Sequence, residues 1–207
     1  GDYNSTVLDT SFSSASALRN LLEQASEFPK EISPYLTDPV FFRDAFKKSY
    51  PITSQDFYPY LSARLCMESS FSDYLDLSHE LTNRLKKNYL TCTDYEELCN
   101  ALKTSVYTRT RINRALLHFM LDLKDDENNA VYARILGFKK GNDLMKFIKE
   151  NAKIPVFTKA FHEDLDDSLK AGYEKQVRAS NLYESIRYRK FRRVSPKHEY
   201  SKKLIVI

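Results

Sequence analysis

The chain has 207 residues, 42% hydrophobic, 13% aromatic and 29% charged, a usage that excludes disorder over most of its length and supplies a buried core. Its net charge of +4 is unevenly divided: residues 1–103 hold 10 Lys/Arg against 15 Asp/Glu, whereas residues 104–207 hold 22 against 13. No apolar run reaches the roughly 20 residues that cross a bilayer, no leader pattern is visible, and three cysteines without CxxC spacing suggest neither a disulfide framework nor a zinc site, so a cytoplasmic protein with no membrane partner is expected.

In chain order, the first helix is expected over Ala17 to Ala25, starting after Ser14 or Ser16, with Leu18, Leu21 and Leu22 at helical spacing. Pro29, Pro34, Pro39 and Pro51 mark a connector over 29–53, the candidate boundary between two parts. From Ser54 to about Leu123 the pattern reads as a helical bundle. Ser54 caps one segment, Ser72 caps another carrying Leu75, Leu81 and Leu85, and Thr93 to Glu96 has capping-box spacing. Ile112, Leu116, Phe119 and Leu123 give the strongest helical stripe.

The character then changes. Val131 to Phe138 reads as a strand, Asn142 to Ala152 as a helix and Ile154 to Thr158 as a second strand. Such a unit pairs its strands in parallel through a right-handed crossover. Leu165, Leu169, Leu182 and Ile186 predict one or two further helices before a basic tail. The fold class is therefore mainly α: a helical bundle with a small strand–helix–strand element.

An enzyme site is hard to find in this pattern. His79, His118, His162 and His198 are isolated, no Gly-rich phosphate loop exists, and neither catalytic nor metal-ligating residues are expected. His118 falls on the apolar side of its helix and reads as a core histidine.

Two stretches stand out. In residues 13–19 (SSASALR), the hydroxyls of Ser13, Ser14 and Ser16 and the guanidinium of Arg19 surround a helix start, which suits a phosphate as well as an ordinary serine cap. In residues 107–114 (YTRTRINR), Arg111 and Arg114 share a helix face with Arg109 near its start. Three guanidinium groups there grip an RNA backbone, or else pair with the acidic first half of the chain. Lys139, Lys140, Arg187, Arg189, Arg192 and Arg193 extend the basic set, and Tyr188, Phe191 and Tyr200 interleave aromatic rings that stack on bases.

These residues resemble the C-terminal portion of the tRNA(Met) cytidine acetate ligase family, a branch of the HxGH-type nucleotidyltransferases. Residues 13–19 look like that superfamily's serine-rich helix-start motif, S-[AS]-[ST]-x-[IL]-R. Residues 1–4 (GDYN) look like the Gly-x-x-Tyr segment that precedes it. Residues 107–117 (YTRTRINRALL) are similar to the family's Y-T-x-T-R-[IL]-x-R block. Residues 132–159 resemble its R-x-L-G-F and P-[IV]-x-T-K elements, and residues 179–183 (ASNLY) a later A-x-D-x-Y element. Asn181 stands where the family tends to carry aspartate. Arg109 stands where an aromatic residue is common, which makes this surface more basic.

The resemblance implies that residues 1–28 end a Rossmann-like nucleotidyltransferase domain, that 29–53 connect, and that 54–207 form a helical tRNA-binding domain with a basic tail. The His-x-Gly-His motif is not in these 207 residues, so the resemblance places the ATP-binding catalytic domain upstream and leaves this chain silent alone. It further implies that Ser13, Ser14, Ser16 and Arg19 lie near ATP phosphates. The parent would adenylate acetate and acetylate the wobble cytidine of elongator methionine tRNA. Two alternatives stay open: a nucleotidyltransferase acting on a small metabolite, and a non-catalytic helical interaction module.

Overall fold

The computed structural model describes residues 8, 13–49, 51–71, 73–124, 131–141, 143–158 and 166–206. The chain forms two compact units, residues 1–57 with 185–195 and residues 58–184 with 196–207.

The first unit begins with α1 (Ala15–Gln24), whose N-cap is Ser14: the extended Ser14 backbone turns its Oγ to accept from the Ala17 amide at 3.0 Å. The segment expected as a connector is itself largely helical. A 3-10 helix covers Lys30–Tyr35, and α2 covers Pro39–Ser49, with Asp38 accepting from the Phe41 amide at 2.9 Å. The prolines explain the difference, because Pro39 occupies the first helical position, where its missing N–H costs nothing. Leu22, Ile32 and Phe46 form the unit's core, joined by half-buried Leu18, Leu21 and Phe28. Helix α3 (Ser54–Met67) starts here, and its cap is Thr53 rather than Ser54. Asp56 closes back on Thr53, accepting from its amide at 2.6 Å and its hydroxyl at 3.0 Å.

The second unit holds the larger core. Leu61 and Leu65 of α3, Leu81 and Leu85 of α4 (His79–Asn88), Leu98 and Leu102 of α5 (Tyr95–Leu102), and Ile112, Leu116 and Phe119 of α6 (Arg109–Leu121) are all nearly inaccessible. These are the expected bundle helices, and besides α3 two more of them start under a different cap. Ser72 lies outside the described residues, and the helix expected from it begins at His79 under a Ser78 cap. At α5 the box has slid by one residue. Asp94 caps the Glu97 amide at 2.8 Å, and Glu97 reaches back to the Thr93 amide at 2.8 Å. Asp is at least as good a cap as Thr, so the helix takes the later start.

The expected strand over 131–138 is two short strands with different partners. β1 (Ala133–Arg134) pairs in parallel with β3 (Val156–Phe157), with α7 (Leu144–Asn151) between them in sequence, as the strand–helix–strand reading predicts. β2 (Gly137–Phe138) pairs in parallel with β4 (Ile205–Val206), a ladder the sequence pattern does not announce. Gly137 permits it: a Cβ there would lie 2.7 Å from the Ile205 carbonyl oxygen. The helices expected near 165–186 are one, α8 (Asp167–Phe191), with the Asp166 carboxylate accepting from the Leu169 amide at 2.8 Å. Tyr132, Phe157, Tyr173 and Tyr200 pack their rings together over this small β region.

Candidate nucleic-acid interface

Helix α6 positions the three candidate arginines. Thr108 caps it through the Arg111 amide at 3.4 Å, and buried Tyr107 fixes its start. The Tyr107 hydroxyl lies 2.7 Å from the Ser78 hydroxyl that caps α4, and 3.3 Å from Glu80. The first and third arginines are held by carboxylates of the acidic half. Arg109 grips Glu96 with two parallel hydrogen bonds of 2.6 and 2.5 Å, donates its Nε–H to Asn113 at 3.2 Å and lies 5.8 Å over the Tyr95 ring. Arg114 grips Asp76 the same way, at 2.6 and 2.9 Å. Arg111 differs, since among the described residues it makes no ion pair and lies 4.9 Å over the ring of Tyr107.

The electrostatics follow the geometry. Hydrogen bonds from Arg109 hold the Glu96 carboxyl below its ordinary range, and those from Arg114 do the same for Asp76. Asp76 has a left-handed backbone (φ 65°), and His118 Nδ1 lies 3.1 Å from its carboxylate. The core histidine expected at 118 is thus mostly buried and faces an acid. Sequence reasoning did not pair Asp76 or Glu96 with an arginine, because each meets its partner across a long separation in the chain rather than at a local spacing.

The other candidates are spread over the chain. Lys139 and Lys140 are exposed beside the left-handed Gly141. In the first unit Arg187 is buried at 8% exposure, whereas Arg189, Arg192 and Arg193 are exposed. Arg192 ends α8 with φ 56° and lies over Tyr188, and Arg193 donates to the Lys47 carbonyl. Arg187 is thereby distinguished from the surface cations among which the sequence places it. At the start of α1, Ser13 and Ser14 are half-buried, while Ser16 and Arg19 are exposed; the first turn carries no acid. Ser14 is the helix cap that the simpler reading expects.

Asn181 holds the tail: its Oδ1 accepts from the Glu199 amide at 3.0 Å, and its Nδ2 lies 2.8 Å from His198 Nε2. Beside it, Glu199 is buried among Arg134, Ser180 and Lys202. Among the described residues no three His, Cys, Asp or Glu side chains gather as a metal site, and no helix is long and apolar enough to cross a membrane.

The arrangement is similar to known proteins over its whole length. The tRNA(Met) cytidine acetate ligase of Clostridium kluyveri is 33% identical over 179 residues, 81% of this chain and 43% of that protein. The protein of the same name from Acetivibrio thermocellus is 30% identical over 199 residues, 88% of this chain and 48% of its own. The chain thus spans about half the length of the curated relatives it matches. The crystal structure of Thermotoga maritima TmcAL in its apo form superposes with a TM-score of 0.79, covering 100% of this chain and 53% of that one at 19% identity. Its form bound with alpha-thio ATP gives 0.77 at 20% identity, over 95% of this chain and 52% of that one. These structures share the mostly helical fold described above. The family described as HIGH Nucleotidyl Transferase matches residues 1–198, and the chain belongs to that family.

Proposed function

We propose that this chain is the tRNA-holding half of an ATP-dependent ligase that adenylates acetate and acetylates the wobble cytidine of elongator methionine tRNA. The observation that carries the reading is the arginine start of α6, which lies in a chain similar over most of its length to proteins named tRNA(Met) cytidine acetate ligase. Arg109, Arg111 and Arg114, with Lys139 and Lys140 and the exposed Arg189, Arg192 and Arg193, contact tRNA phosphates. Base discrimination occurs elsewhere, and the chemistry belongs to an upstream Rossmann-like domain of the same protein. The start of α1 fits ATP phosphates: Ser16 and Arg19 are exposed there, and no acid in the first turn opposes an anion. ATP bound there supplies the activating phosphoanhydride, and this chain's part is to help hold its phosphates.

The carboxylate partners of Arg109 and Arg114 favour a second reading, in which these arginines only brace the bundle. Arg111 separates the two, because among the described residues it makes no ion pair and feels Asp76 only at longer range. The test is binding of methionine elongator tRNA across a salt series, with Arg111→Glu beside the natural chain. Each phosphate contact removed lowers the log–log salt slope by about 0.7 to 0.9. A weaker and flatter response in the variant supports the tRNA reading; an unchanged one overturns the role of α6.

A further inference from the structure

The first unit contains a cavity of ≈ 880 Å3, and all of its described lining residues belong to that unit. It begins at Glu23, near the C-terminal end of α1, whereas the serine motif lies at the N-terminal end. A ten-residue helix is about 15 Å long, so the cavity is distinct from the candidate ATP-phosphate cradle.

Its lining combines two kinds of surface. Phe28 and Phe46, in edge contact at 6.0 Å, and Phe191 supply aromatic faces and edges. Lys30, Arg43, Lys47, Lys190 and Arg193 supply five cations against the two carboxylates of Glu23 and Glu27. Lys190 is held at the wall by Asp56 at 2.7 Å, and the Arg193 guanidinium by the Lys47 carbonyl. Among the described residues, Lys30 and Lys47 make no ion pair, which leaves their charge for a ligand. The net positive charge beside phenyl rings matches a phosphorylated aromatic compound, because the rings bury a planar group while the ammonium groups of Lys30 and Lys47 meet its phosphate. The glutamates accept hydrogen bonds from amino or ribose hydroxyl groups, which inorganic phosphate lacks.

We infer that this cavity is a binding site for a nucleoside monophosphate unit, either free or as an unpaired residue of an RNA strand. The site goes beyond the tRNA reading and does not depend on the arginines of α6. The test is calorimetric titration of the 207-residue chain with AMP, CMP, inorganic phosphate and a single-stranded pentaribonucleotide, using Lys47→Glu and Arg43→Glu. Lys48→Glu is the control, since Lys48 is an exposed neighbour on α2 that does not line the cavity.

Losing a hydrogen bond to a charged group weakens binding about tenfold or more, so Lys47→Glu and Arg43→Glu each lose that much and Lys48→Glu much less. Binding of the mononucleotides with this pattern identifies a free nucleotide. The same pattern for the pentaribonucleotide alone identifies a residue within a strand. The inference is overturned if nothing binds, if phosphate binds as tightly as AMP and CMP, or if Lys48→Glu loses as much as Lys47→Glu. Loss of tRNA binding in Arg111→Glu is scored separately, so either reading can fail while the other stands.

Discussion

The second unit uses one chemical pair, arginine on carboxylate, in two settings. At the start of α6 the pairs lie in solvent: Arg109 and Glu96 side chains are 34% and 65% exposed. In the β region the pair is sealed, with Arg134 at 14% and Glu199 at 9%. Water and salt screen the exposed pair, which contributes about 1 kcal/mol or less. A phosphate can therefore displace its carboxylate at little cost. Removing one partner of a sealed pair instead leaves a buried charge uncompensated, at about 3–5 kcal/mol. The number of arginines is thus a poor guide to binding; what matters is how cheaply each one can change partners.

The largest effect is expected where the pair is sealed. Glu199→Ala strands Arg134 and frees Lys202, and lowers unfolding stability by about 3 kcal/mol, measured by urea titration. Burial alone would raise the Glu199 pKa, yet hydrogen bonds from Lys202, Ser180 and Arg134 hold it at about 2. An unfolded glutamate titrates near about 4.3, so the folded value is depressed. Its stabilisation is complete above that pH and lost as pH falls toward 2. An acid titration should show the natural chain losing stability in this window more steeply than Glu199→Gln; equal slopes would place the acid sensitivity elsewhere.

Next in size is the Gly137 contact that closes the neighbouring ladder. Gly137→Ala drives a methyl group into the Ile205 carbonyl and should cost about 1–3 kcal/mol, with amide exchange rising first at Ile205.

At α6 the signs reverse. Glu96→Gln weakens a pair that holds Arg109 and should change stability by less than about 1 kcal/mol. If the exposed arginines take phosphate, the same change strengthens tRNA binding at low salt. A loss of affinity instead would mean that Glu96 orients Arg109 for the contact.

The smallest effect is expected at the end of α8. Arg192→Gly relieves a left-handed non-glycine backbone and should raise stability by about 1 kcal/mol or less in a thermal melt.

The sequence was informative wherever a signal is local. Ser14 caps α1 because a hydroxyl three residues before a free amide suffices, and the apolar stripe of α6 (Ile112, Leu116 and Phe119) needs only its own periodicity. The β1–α7–β3 unit was legible because two apolar runs flanking one helical turn pattern leave few topologies. The β2–β4 ladder was not, since two-residue strands carry no period and their partners are far apart in the chain. The Ser78 cap of α4 was hidden for a related reason: Ser78 is one of several serines before a leucine pattern, and spacing alone does not single it out. Among the candidate site residues, the arginines of α6 were found from type and spacing. Their holders, Glu96 and Asp76, required three dimensions, as did the burial of Arg187 and the cavity beside α2.

The ladder between β2 and β4 also bears on how the chain is made. Gly137 and Phe138 leave the ribosome long before Ile205 and Val206, with α7, β3 and α8 synthesised in between. At about 5–20 residues per second, the β2 edge waits several seconds for its partner. Through that interval the exposed Leu136 and unpaired backbone offer a landing place for another nascent chain. Lys139 and Lys140, immediately beyond β2, place two like charges beside that edge, and like charges oppose such pairing.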